Sequence, residues 1–109
     1  MNFNIEFKDF TPQKKIQKLI QELITKTEKK TNGLSADTAF LRLLLEENSA
    51  RKLYRVSIIL ELSGKTLVAK EERHNLAETI RHAFSEIDRQ LKAYKARLRG
   101  EPMWKRRTG

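Results

Sequence analysis

The chain has 109 residues, which suffice for one compact domain and leave no room for a second independent core. Its 23 Lys and Arg outnumber 14 Asp and Glu, and the resulting net charge of +9 favours polyanionic partners such as RNA, DNA or an anionic membrane. The absence of cysteine excludes disulfides, thiolate metal sites and cysteine nucleophiles. No signal peptide or apolar stretch of membrane-spanning length is present, so we expect a cytoplasmic protein without a membrane partner.

The N-terminal segment alternates apolar and polar side chains. Phe3, Ile5 and Phe7 occupy one parity between Asn2 and Lys8, and polar residues occupy the other. A period of two is typical of a strand with one buried face. The sequence therefore predicts a first strand here.

A helix is predicted next, from about Pro12 to about Lys30. Thr11 offers an N-cap hydroxyl, and Pro12 would stand at the first helical position, where its missing N–H costs nothing. Apolar side chains then recur at spacings of three and four, and Asn32-Gly33 is typical of a helix end.

Three segments after this helix favour strands. The first, Thr38 to Glu46, is Leu-rich and ambiguous between helix and strand, but it is short. The second, Lys52 to Leu62, alternates clearly, and the third, Thr66 to Lys70, is apolar and β-branched. Turns at Asn48-Ser49 and Ser63-Gly64 would join them into an antiparallel meander.

A long amphipathic helix is predicted from Asn75 onward, ended by Gly100 and Pro102. The element order β-α-β-β-β-α favours an α+β fold, a two-layer domain in which a four-stranded sheet carries two helices packed on one face. We expect this domain to span residues 1–99 and residues 100–109 to form a flexible basic C-terminal tail. Trp104 in that tail would either stack on a base, anchor at a membrane surface, or have no role.

Basic residues cluster on both predicted helices, and these are the candidate RNA-binding residues. On a helical wheel, one quadrant of the second helix holds four cations together with His74, Ser85 and Asp88: Arg81, Lys92, Lys95 and Arg99. One polar face of the first helix, interrupted by Glu22, holds four more: Lys15, Lys18, Lys26 and Lys29. Because such groups release counterions on binding phosphates, affinity should fall steeply with salt.

The aromatic residues do not support base stacking, because most of them are expected on faces that form the core. These are Phe3, Phe7, Phe40, Tyr54 and Phe84. Recognition of backbone and shape is therefore favoured over recognition of bases.

No pattern in the sequence supports catalysis. There is no Gly-rich phosphate loop, nucleophile elbow or metal-ligand spacing, and His74 and His82 lack acidic ligands at helical spacing. We therefore expect no catalytic residue, no metal, no cofactor and no small-molecule substrate.

Several segments resemble the ribosome hibernation-promoting factors and ribosome-associated translation inhibitors. The most specific match is the stretch Arg-Gln-Leu-Lys-Ala-Tyr-Lys from Arg89 to Lys95. Three further segments match the family in order and spacing: Phe3 to Glu6, Thr11-Pro12, and Gly64 to Ala69. Arg89, Lys92 and Lys95 match recurrent basic residues of the family's second helix. Three positions depart from the family pattern: Asn75, Ala77 and Arg81.

This resemblance implies the β-α-β-β-β-α fold and a function. The protein would bind small-subunit rRNA in the messenger and transfer RNA channel and inhibit translation during stress or stationary phase. The chain resembles the short form of the family, so we expect a monomer off the ribosome and no unaided dimerisation of ribosomes, although a helix-mediated dimer stays open.

Two alternatives to a ribosomal function remain at this point. A generic binder of structured RNA or DNA fits a two-layer domain with basic helices equally well. A regulator that docks on an acidic protein surface fits the charge but predicts no RNA in the complex.

Overall fold

The computed structural model describes residues 1–31 and 39–98 of the chain. Six elements follow one another in the order that the sequence predicted, which confirms the α+β class. They are β1 (Asn2–Lys8), α1 (Lys14–Thr31), β2 (Phe40–Asn48), β3 (Leu53–Leu62), β4 (Lys65–Arg73) and α2 (Leu76–Leu98).

The four strands form one sheet in the order β1-β2-β3-β4. The predicted antiparallel meander of β2, β3 and β4 is confirmed, and β1 adds to it as a parallel strand beside β2. The register places Ile5 beside Leu43, Leu43 beside Ile58, and Ile58 beside Ala69. Because side chains alternate across a sheet, these residues form one continuous apolar row on the core face.

Both helices cover that core face. Ile20 and Ile24 of α1 and Ile80 and Ile87 of α2 are buried in the same cluster as the strand residues. The inward strand residues include three leucines of β2, none more than 2% exposed: Leu41, Leu43 and Leu45. Full burial of one such side chain stabilises the fold by roughly 1.5–3 kcal/mol. The opposite face of the sheet carries no described helix.

Helix α1 begins two residues later than predicted. The N–H groups of Ile16 and Gln17 both bond to the carbonyl oxygen of Gln13 at 3.0 Å, so Gln13 starts the helix. The Gln17 side chain also donates to the Pro12 carbonyl at 2.9 Å. The expected N-cap at Thr11 with Pro12 as first helical residue is therefore wrong, because the first turn is anchored at Gln13.

Asn75 caps helix α2. Its side-chain oxygen accepts the Glu78 N–H at 2.9 Å, and its carbonyl accepts both the N–H and the hydroxyl of Thr79. His74 precedes the cap, and its Nδ1 lies 2.9 Å from the Lys52 carbonyl oxygen. The expected place of His74 in the helical basic quadrant is therefore wrong, since that residue lies at the end of the sheet.

Two turns connect the antiparallel strands. In the β2–β3 turn, Asn48 accepts the Arg51 N–H at 3.2 Å and Lys52 has a positive φ of 54°. In the β3–β4 turn, Gly64 has a φ of 83°, a left-handed conformation that favours glycine. Strand β2 extends to Asn48 and β4 to Arg73, past their predicted ends at Glu46 and Lys70.

Two aromatic residues expected in the core are not buried in it. Phe3 is on the core face of β1, but it is 45% exposed because β1 is an outer strand. Phe40 has the opposite parity to Leu41, so it lies on the uncovered face of the sheet, with the Arg42 guanidinium 5.4 Å from its ring centroid. Both side chains are accessible, contrary to the sequence-based expectation.

Some predictions fall outside the described residues. They are the helix stop at Asn32-Gly33, the first residue of the predicted second strand (Thr38), the stop at Gly100 and Pro102, and the tail of residues 100–109 with Trp104. Within residues 1–31 and 39–98, neither helix is long and apolar enough to cross a membrane.

Candidate nucleic-acid interface

The excess positive charge is concentrated in the helices. Together α1 and α2 contain eleven Lys and Arg against five Asp and Glu, whereas the four strands contain six of each sign. Because both helices lie on one face of the sheet, the described elements form a cationic helical layer and a strand layer without net charge. A polyanion would be attracted to the helical side.

Half of the Lys and Arg residues in the strands form ion pairs with carboxylates of the strands. Arg42 lies 3.9 Å from Glu61 and Arg55 lies 3.0 Å from Glu72, in both cases across neighbouring strands. Arg73 pairs with Glu71 at 3.2 Å. Within each pair the two charges cancel locally, so these three arginines offer little attraction to a polyanion.

Helix α1 exposes the four lysines predicted from its polar face: Lys15, Lys18, Lys26 and Lys29. None of them has an ion-pair or hydrogen-bond partner among the residues that the structure describes. Glu22 lies on the same face, as predicted. Six of the eighteen residues of α1 are lysine, and the helix ends with Lys29 and Lys30 in its last turn, where cations interact favourably with the helix dipole.

A groove between α1 and α2 brings cations of both helices together. Its floor is apolar, formed by Leu19, Leu23 and Phe84. Its remaining lining is polar or charged: Glu22, Lys26, Thr27, Lys30, Arg81, Ser85 and Asp88. Three cations against two carboxylates leave the groove positive, and Lys26 and Arg81, from different helices, have no described partner.

Asp88 joins the two helices inside this groove. Its Oδ1 lies 2.5 Å from Lys30 Nζ on α1, and its Oδ2 lies 3.1 Å from Lys92 Nζ, one turn further along α2. The hydrogen bond from Lys30 lowers the pKa of Asp88, Lys92 lowers it further, and partial burial opposes both. Asp88 is therefore ionised at neutral pH and fixes two cations at the groove.

Arg89 lies on another side of α2 and is paired. Its guanidinium donates to both carboxylate oxygens of Glu86, with the shorter bond at 2.6 Å. Gln90 also donates to Glu86, and these hydrogen bonds from Arg89 and Gln90 lower the pKa of Glu86 to about 2. The pair leaves little net charge at this part of the helix surface.

The predicted site residues therefore separate into groups. Lys26 and Arg81 meet in the groove, Lys92 and Lys95 continue along the same side of α2, and the remaining predicted lysines follow α1: Lys15, Lys18 and Lys29. Arg89 lies apart from this groove in a local ion pair. Arg99 falls outside the described residues.

Lys30 is part of the groove but was not among the residues predicted from the sequence. Lys30 lies four residues after Lys26, so helical spacing alone could have placed both on neighbouring positions of one side. Its importance depends on Asp88, 58 residues away in the chain, and that contact requires the relative position of the two helices.

The groove lining contains groups suited to binding anions. Among residues 1–31 and 39–98, no group of three or more His, Asp or Glu side chains could hold a metal ion. The groove holds lysines, one arginine, two carboxylates and hydroxyl groups. Such a lining suits phosphate oxygens bound by charge-assisted hydrogen bonds.

Comparisons with known proteins agree with this fold. A "ribosomal subunit interface protein" from Coxiella burnetii has a TM-score of 0.71 at 16% identity, covering 88% of this chain and 99% of that one. The N-terminal domain of Thermus thermophilus Protein Y has a TM-score of 0.70 at 18% identity, covering 86% and 99%. At such identities the likeness concerns the fold alone. No curated protein sequence matches the chain significantly.

The family assignment comes from a sequence model that spans almost the whole chain. The model described as "Sigma 54 modulation protein / S30EA ribosomal protein" matches residues 3–99. This match includes every element of the sheet and both helices that form the groove. The chain therefore belongs to the sigma-54 modulation protein / S30EA ribosomal protein family.

Proposed function

We propose that this protein binds the small ribosomal subunit through its helical layer and inhibits translation. The observation that carries the proposal is the concentration of unpaired cations around the groove between α1 and α2. The name of the Coxiella structure, a ribosomal subunit interface protein, supports a ribosomal partner. Membership of a ribosome-associated family supports a binding role without catalysis.

The RNA backbone is the proposed ligand. Lys26 and Arg81 flank the groove from opposite helices, and Lys30 and Lys92 are held beside them by Asp88. Cations along two parallel tracks can contact phosphates on both sides of an RNA groove or on two adjacent strands. The described aromatic side chains are not on this surface except for Phe84, which is 4% exposed, so base stacking contributes little.

The proposed place of binding is the messenger and transfer RNA channel of the small subunit. On this proposal, one copy of the domain, residues 1–99, would occupy one subunit and exclude messenger and transfer RNA from it. Translation would stop while the protein is bound, under stress or in stationary phase. Such a protein would act in the cytoplasm, where ribosomes translate.

Binding and inhibition are tested together. Purified protein is added to small subunits with labelled messenger and transfer RNA, and the displaced label is measured against protein concentration. The proposal predicts that the label is displaced at one protein per subunit and that a reconstituted translation reaction stops in the same concentration range. Binding to the subunit without displacement would refute the channel, and equal affinity for random duplex RNA would favour a generic binder of structured RNA.

A further inference from the structure

The two outer edges of the sheet, β1 and β4, differ in how far the described chain covers them. At the β4 edge, Gln90 of α2 donates to the Val68 carbonyl at 2.9 Å, and Tyr94 donates to the Ser63 carbonyl at 3.1 Å. Along β1, no described residue outside the sheet bonds to the backbone between Phe3 and Phe7. The β4 edge is thus partly covered by α2, and the β1 edge is uncovered by the described chain.

The direction of the free backbone groups follows from the ladder. The Asn2 N–H bonds to the Ala39 carbonyl at 3.0 Å, so Asn2 faces β2. A parallel ladder uses alternate residues of each strand, so the backbone groups of Phe3, Ile5 and Phe7 point outward. Three N–H and three C=O groups therefore form an open pairing edge.

Strand β1 lacks the features that commonly prevent edge pairing. It contains no proline or glycine, and its register with β2 is continuous from Asn2 to Lys8 without a bulge. Its three core-face residues are Phe3, Ile5 and Phe7, so no charged side chain points inward. Natural edge strands are usually protected by such charges, prolines or bulges. Phe3 is also 45% exposed at this edge.

We propose that β1 pairs antiparallel with β1 of a second copy of this chain, about a two-fold axis at Ile5. In this register Phe3 lies opposite Phe7 of the second copy, and Asn4 lies opposite Glu6. The outward backbone groups of the two strands then hydrogen-bond to each other. On the core face, phenylalanine lies beside phenylalanine and Ile5 lies beside Ile5 of the second copy. No like charges face each other, and the two sheets join into one of eight strands.

The charge distribution of α1 permits this approach. Gln17, Gln21 and Thr25 occupy the side of α1 turned away from α2, whereas Lys26 and Lys30 occupy the groove side. On the first of these sides Glu28 lies 3.5 Å from the Met1 amino group, which places that side near β1. Lys14 also lies on this side, so a neighbouring α1 would meet three uncharged polar side chains and one charge of each sign, Lys14 and Glu28.

Salt distinguishes this association from RNA binding. Each copy carries a net charge of +9, so two copies repel one another and added salt screens the repulsion. Salt should therefore strengthen the dimer, whereas it weakens binding to a polyanion. The interface of one strand per copy is small, so we expect a weak dimer that forms only at high protein concentration. The inference replaces the expectation of a monomer off the ribosome and does not depend on the proposed function.

Sedimentation equilibrium of the whole protein tests the association. From about 10 µM to about 1 mM, the range of a weak interface, the average mass should rise from the 12.8 kDa monomer toward twice that value, and more strongly at high salt. Phe3→Pro removes one outward N–H and should hold the mass at the monomer value. Lys70→Pro is the matched control, because its N–H lies two residues from Val68 on the outward side of β4 and its loss should leave the dimer intact. Circular dichroism checks that both variants fold.

The register is tested by single cysteines, since the chain has none of its own. Asn4→Cys and Glu6→Cys proteins are mixed under mild oxidation, and the disulfide products are separated by mass. Cross-strand neighbours at a non-hydrogen-bonded pair are close enough for a disulfide, so the mixed product should exceed the share given by random pairing. A statistical mixture, or a constant monomer mass at every concentration and salt, would overturn the proposal.

Discussion

Lys30 of α1 and Asp88 of α2 form an ion pair of 2.5 Å that joins the two helices at the cationic groove. The side chains are 41% and 25% exposed, so water screens the attraction only in part. The same carboxylate holds Lys92 at 3.1 Å. One residue thus contributes both to the packing of the helices and to the positions of two cations at the proposed RNA-binding surface.

A double-mutant cycle measures the strength of this pair. Because Lys30 is more than a third exposed, we expect a coupling free energy of only about 0.5 kcal/mol between Lys30→Met and Asp88→Asn. Urea unfolding of the wild type, both single variants and the double variant gives the value. A coupling indistinguishable from zero would mean that the two helices are held together by apolar packing alone.

Stability should fall in acid because two carboxylates have lowered pKa values. Glu86 has a pKa of about 2 in the folded protein, and that of Asp88 is lowered by Lys30, while both titrate near about 4 when unfolded. Their contribution is therefore complete above about pH 4 and is lost as the pH falls through the lower folded values. Urea midpoints at pH 6 and pH 3 test this.

The contribution of Asp88 to this loss of stability in acid is measured with a variant that cannot titrate. Asp88→Asn cannot bind a proton at this position, so its stability should fall less between pH 6 and pH 3 than that of the wild type. Glu86→Gln should behave in the same way. If both variants lose as much stability as the wild type, other carboxylates account for the acid sensitivity.

The turn between β3 and β4 requires glycine for its backbone conformation. Gly64 has a φ of 83°, and a Cβ added there would meet no atom within 4 Å, so the cost of a side chain is conformational alone. Gly64→Ala should therefore lower the free energy of unfolding by about 1 kcal/mol. Gly64→Asn should cost less, because asparagine tolerates the left-handed region better than alanine does. Equal losses of stability in the two variants would contradict this explanation.

Periodicity in the sequence was sufficient for much of the fold. The parity of Leu41, Leu43 and Leu45 placed β2 correctly even though a Leu-rich segment is compatible with a helix, because the neighbouring strand alternates clearly. The start of α1 was misplaced since Thr11-Pro12 satisfies the local rules for a helix start, whereas the hydrogen bonds begin at Gln13. Local signals leave such boundaries uncertain by one or two residues.

The candidate site was predictable in composition but not in geometry. A helical wheel placed Arg81 and the α1 lysines on exposed faces, because this needs only the period of a helix. The wheel could not show that Arg89 is neutralised by Glu86, or that Asp88 reaches Lys30 across the groove. Those contacts depend on rotamers and on helix packing, which the spacing of residues along one helix does not determine.

The proposed function requires that the helical layer, and not positive charge in general, binds the small ribosomal subunit. Two triple variants with equal changes in charge separate these possibilities. The helix variant reverses three cations of the helices, two of them at the groove: Lys18→Glu, Lys26→Glu and Arg81→Glu. The strand variant reverses three strand cations without a described partner: Lys8→Glu, Lys65→Glu and Lys70→Glu.

The most direct measurement is co-sedimentation of wild type and both variants with purified small subunits over a salt series. We predict that wild type and the strand variant pellet at one copy per subunit with affinities that fall steeply with salt. The helix variant should bind far more weakly, and its salt slope should be shallower by about one unit for each phosphate that it no longer neutralises. Equal weakening of the two variants, or undiminished binding of the helix variant, would contradict binding through the helical layer.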